Sequence, residues 1–167
     1  MFKSWLVSNI EIFLGILLAI LSYFLFKKLD ADFDADFAVQ FTGLAVFVYL
    51  AVCGFASMAF SGTLIFGLIG LAIPVVAIMF ATDSPEYTGA ASIVTVGSII
   101  GYVVSIIVAV FSYKNFYDIV DSRWLFRTSD KDIFAEQWKY ALNRFCVTIG
   151  FFDVLALGYF FISLISL

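Results

Sequence analysis

Two carboxylates lie inside long apolar runs of this chain: Glu11, six residues into a run that begins near Trp5, and Asp153, eight into one that begins at Phe145. At helical rise each sits roughly 9–12 Å beyond the start of its run. An ionised carboxylate in hydrocarbon costs at least about 2.5–3.5 kcal/mol, so such a group is expected to turn toward the inside of a helix bundle. The neighbouring residues point the same way. Ser4, Ser8, Glu11, Gly15, Ala19 and Ser22 recur every three or four positions as one small, polar stripe, and Cys146, Gly150 and Ala156 flank Asp153. Two chemistries fit: a relay that passes protons or cations, and a pair of hydrogen-bonded packing determinants. No lysine or arginine falls within either run, and that favours packing.

Other chemistry is poorly supplied. The tetrapeptide Asp30-Ala31-Asp32-Phe33 is repeated as Asp34-Ala35-Asp36-Phe37. Alternating aspartates suit calcium, but as a calcium-binding helix–loop–helix sequence the stretch fails, with Ala35 at the glycine position and Phe41 in place of the bidentate glutamate. A solvated acidic loop is the expectation. Asp118, Asp121, Asp130 and Asp132 alternate with basic residues, the pattern of a salt-bridged, solvated face. Histidine is absent, which removes the commonest metal ligand and general base. Cys53 and Cys146 stand alone within apolar surroundings and read as small packing residues. No metal, no cofactor and no enzymatic activity are expected.

The elements that hold these residues are set by charge. From Phe37 to Thr82 runs an uncharged stretch of 46 residues, about twice what one helix needs to cross a hydrocarbon core of about 30 Å. Apolar residues make up 63% of the chain and charged residues 13%, with a mean hydropathy of +1.08. A water-soluble domain is about 45–50% apolar and about 25% charged. The reading is an all-α, polytopic transmembrane bundle in a single domain of 1–167, with five spans at about 5–26, 37–60, 63–80, 90–111 and 145–166. Four spans plus a re-entrant segment is the alternative. Lys3 ahead of an apolar run resembles a signal peptide, yet the run is too long and closes on Phe24-Leu25-Phe26-Lys27-Lys28, so a retained first helix is expected.

Seven of the nine basic residues, Lys3 among them, fall on one side of a five-span topology, six of them in the connector 112–144. That places the amino terminus and the connector in the cytoplasm and the carboxyl terminus outside, with Lys27 and Lys28 dissenting. Short loops suggest a bacterial inner membrane. Within the connector, Ser129 and Asp132 resemble a capping box ahead of Ile133, Phe134, Trp138, Ala141, Leu142 and Phe145, an amphipathic helix expected along the membrane surface. Trp5, Trp124 and Trp138 would sit at the same interface. Gly97, Gly101, Ser105 and Ala109, spaced by four, allow close backbone approach either within the chain or to another subunit. Pro74 deprives the carbonyl of Gly70 of its helical donor and should kink the third span.

The expected partners are therefore the bilayer and other membrane subunits or copies of the chain; a net charge of −4 gives no case for nucleic acid. The expected function is that of a non-enzymatic integral membrane subunit of a transport, secretion or channel assembly, acting through helix packing. The rival is a small oligomeric proton- or cation-coupled transporter using Glu11 and Asp153.

Overall fold

A computed structural model describes residues 35–56, 88–122 and 133–165, together with helical positions within 13–24 and 64–79. Every described residue except the turn at Asn115 is helical, and no strand occurs among them. Four helices have defined limits: α1 (Ala35–Ala56), α2 (Thr88–Lys114), α3 (Phe116–Ser122) and α4 (Ile133–Ile165). α2 and α3 are almost continuous. Asn115 ties them, its backbone N–H and its side-chain Nδ2 both donating to the Phe111 carbonyl, while Ile119 N–H donates to the Asn115 carbonyl.

The propensities of α2 would not predict a helix in water. Between Ile93 and Val110, 12 of 18 residues are β-branched, a composition that favours strands when solvent can satisfy the backbone. α4 is described from Ile133, and the expected capping box of Ser129 and Asp132 lies outside the described residues. The helix then runs unbroken through 33 residues, so the amphipathic helix expected in the connector passes directly into the last apolar run as one element about 50 Å long. Its first turns lie along the end of α2: Gln137 Nε2 donates to the Tyr113 carbonyl and the rings of Tyr113 and Trp138 stand 5.1 Å apart.

The other described segments gather on α4. Its buried residues Val147, Phe151, Phe152, Leu155, Tyr159 and Ile162 join Ala45 and Tyr49 of α1 and Val104 and Val108 of α2 in one core. Glycines admit it at short range. A Cβ on Gly15 would lie 2.5 Å from the Phe151 ring, one on Gly67 2.7 Å from Cys146 Sγ, and one on Gly97 2.9 Å from Ala156 Cβ; a Cβ on Gly101 would overlap Phe152.

The order of these contacts gives directions. Along α2, Gly97 meets Ala156, Gly101 meets Phe152 and Tyr113 meets Trp138, so α2 and α4 are antiparallel. Along α1, Thr42 meets Tyr159 and Tyr49 meets Phe151, again antiparallel. Gly67 meets Cys146 and Gly70 meets Ile149 and Asp153, so the segment 64–79 advances in the same sense as α4.

Among the described residues two helices are long and apolar enough to cross a membrane, Val94–Lys114 and Ile133–Ile162; a shorter apolar stretch is Gln40–Tyr49.

Candidate functional site

Asp153 sits deep in the bundle, 2% exposed, two-thirds of the way along α4. Ser98 of α2 donates its hydroxyl to Oδ1 at 3.0 Å. The second oxygen, Oδ2, is buried and has no hydrogen-bond partner among the described residues. It lies so close to Gly70 that a Cβ at that position would overlap it, and Ile149 flanks the same glycine. Three elements thus meet at one carboxylate: α4 supplies it, α2 holds one oxygen, and the third apolar segment closes over the other.

Helix spacing explains the meeting. Ser98, Gly101, Ser105 and Ser112 fall on one face of α2 and are all buried. Ser98 reaches across to α4 in a hydrogen bond, whereas Ser105 turns back to the Gly101 carbonyl of its own helix at 2.6 Å. Thr148 of α4 does the same to the Arg144 carbonyl at 2.7 Å. Such back-bonds satisfy a hydroxyl without a partner helix, so Ser105 and Thr148 can be buried without a hydrogen bond across the seam.

The remaining candidate residues divide cleanly. Gly97 and Gly101 face α4 of the same chain, Ser105 is fully buried there, and Ala109 is half-buried. Trp138 is 55% exposed, packed edgewise against Phe134. Gly70 is at the site. Glu11, Pro74, Trp5 and Trp124 lie outside the described residues. No group of three or more aspartate, glutamate, cysteine or histidine side chains suited to a metal occurs among the described residues.

The sequence reasoning missed Arg144. Its charge marked it as part of the connector, but it is 2% exposed, with Cζ 5.8 Å from the centroid of the Tyr49 ring. The guanidinium is thereby placed over an aromatic face, where the ring quadrupole attracts it. A signal was present. Ala141, Arg144, Thr148, Phe151 or Phe152, Leu155 and Tyr159 repeat at helical spacing, and all are buried. A basic residue in the middle of that stripe belongs to the core face, whatever its usual preference. Asn143, also buried, adjoins it. Tyr159, whose hydroxyl is 3.0 Å from Thr42 Oγ1, was likewise not anticipated.

No protein-family model, curated protein or solved structure matches this chain. The functional reading therefore rests on the arrangement of its own side chains: a buried carboxylate with one satisfied oxygen, a buried guanidinium nine residues before it on the same helix, and small residues that let four segments close on α4.

Proposed function

We propose that the chain is a polytopic membrane protein of five spans gathered around α4, and that it works without catalysis as a subunit of a larger transport, secretion or channel assembly. One observation carries the membrane reading: polarity is inverted. Thr42, Ser98, Ser105, Asn143, Arg144, Thr148 and Asp153 point inward, while Leu44, Phe47, Leu68, Ile99, Val103, Ile106, Val110 and Phe161 point outward. Single exposed apolar residues are ordinary in soluble proteins, but whole helix faces without a charge are not. The β-branched run of α2 supports the same conclusion, since in lipid a backbone must satisfy itself whatever its side chains prefer.

Five spans are favoured over four with a re-entrant segment by the directions of travel. α1 and α2 oppose α4 and the segment 64–79 runs with it, the alternation that a second, third, fourth and fifth crossing require. The basic residues then set the amino terminus and connector in the cytoplasm, in keeping with a bacterial inner membrane. Lacking any sizeable polar domain, the chain has packing surface as its main asset, and its partners would be other membrane subunits or copies of itself.

The second reading, a small oligomeric proton- or cation-coupled transporter, is favoured by the unsatisfied oxygen of Asp153 alone. Gentle detergent extraction followed by mass measurement of what stays bound separates the two. Discrete companion proteins in fixed ratio are the expected result; a homo-oligomer that by itself sustains pH-dependent flux in liposomes would contradict it.

A further inference from the structure

Asp153 offers two oxygens and only one is accounted for. Ser98 serves Oδ1, whereas Oδ2 is buried, without a donor among the described residues, and pressed against Gly70. Gly70 carries a deficit of its own. The residue four positions on is Pro74, which has no N–H, so the Gly70 carbonyl lacks the donor that a helix interior normally provides. A carboxylate oxygen without a donor therefore lies against the same residue whose carbonyl loses its helical N–H partner to Pro74. Neither can satisfy the other, and an unpaired acceptor in a low-dielectric interior is costly. What completes the set is a small positive charge.

We propose that Asp153 Oδ2, the Gly70 carbonyl and the Ser98 hydroxyl oxygen form a site for one small monovalent cation, H⁺ or Na⁺. The inference rests on the bundle lying in lipid, and it supplies the ligand that the transporter reading needs. Charge balance limits the ion to one positive charge. The third segment lies within the uncharged stretch from Phe37 to Thr82, α1 beyond Asp36 belongs to the same stretch, and α2 has no charged residue before Lys114. On α4 the nearest charged residue is Arg144, about 13 Å away along the helix. The first segment carries Glu11, which is outside the described residues. A divalent ion would ask for more carboxylates than the described residues assemble.

The glycine and the proline acquire a shared purpose on this account. Gly70 lets the carboxylate approach the backbone, and Pro74 has no N–H to offer the Gly70 carbonyl.

The test uses the full chain in lipid nanodiscs with the aspartate carboxyl carbons isotopically labelled, followed by infrared difference spectroscopy as pH is stepped in Na⁺ or in choline buffer. The expected result is a protonated-carboxylic-acid band that shifts with the label, titrates as one group and is abolished in Asp153→Asn. Suppression of that band by Na⁺ but not choline identifies Na⁺ as a second occupant; indifference to Na⁺ identifies the proton, and both support the site. Ser98→Ala, a small-for-small change, should shift the same band, and Gly70→Ala should alter proton affinity by roughly tenfold, about one pH unit. The site is overturned if no such band appears while the chain remains folded and Na⁺ changes nothing, or if the band survives unaltered in Asp153→Asn and Ser98→Ala. A chain that proves monodisperse without detergent would instead overturn the membrane reading, so the two failures are distinguishable.

Discussion

The apolar windows of α2 and α4 have mean hydropathies of 2.4 and 2.1, yet 33% of the first is buried within the chain and 67% of the second. The difference lies in neighbours. α4 is enclosed by α1, α2 and the segments around Gly15 and Gly67, whereas α2 presents one face to α4 and turns Val96, Ile99, Val103, Ile106 and Val110 outward. Hydropathy thus reports which solvent a helix tolerates, and small residues report which helix is surrounded. The two properties separate most clearly at Asp153 and Arg144, which lower the hydropathy of α4 and are nonetheless among its most buried residues.

Mutations on the two helices should diverge accordingly. Phe152, 1% exposed and in contact with the Gly101 backbone face, should be the most sensitive position. Phe152→Ala is expected to cost about 2–3 kcal/mol in bilayer unfolding measurements, below the roughly 3–5 kcal/mol typical of aqueous cores, because the unfolded reference also rests in lipid. Gly101→Ala attacks the same contact from α2 by overpacking and should cost about 1–3 kcal/mol, read as a fall in thermal unfolding temperature. Thr42→Val removes the link to Tyr159 and should cost about 0.6 kcal/mol, the average for hydrogen bonds between membrane helices. Ile106→Ala, on the outward face of α2, should change stability by less than about 0.5 kcal/mol. An equal loss at Ile106 and Phe152 would break the contrast, since it would mean that the outer face of α2 is packed as tightly as the core.

How much of this was legible in the sequence depends on the kind of residue. The uncharged run from Phe37 to Thr82 and the four-residue spacing of Gly97, Gly101, Ser105 and Ala109 are local patterns, and they anticipate helices and a close-packed seam. The seam's partner was not legible, because a small-residue stripe is the same whether it meets its own chain or another; the contacts with Phe152 and Ala156 assign it to α4. Asp153 was legible as an inward carboxylate from its lone position among apolar residues. Its juxtaposition with Ser98 and Gly70 was not, since these lie 55 and 83 residues away and nothing local encodes which helices neighbour each other. Arg144 was misplaced for a different reason: the positive-inside tendency concerns loops, and here it competed with a buried helical stripe that extends past the edge of the apolar run.

The central claim is that lipid, not water, covers the outward faces around α4. It is tested most directly by spin labels placed singly at Ile99, Ile106 and Val110 on α2 and at Leu155 on α4, with collision rates measured against oxygen and a water-soluble nickel chelate in liposomes. The α2 labels should collide with oxygen and be shielded from nickel, while the label at Leu155 should meet neither; nickel access at Ile99 and Ile106 equal to that of a label on an aqueous loop would contradict the account.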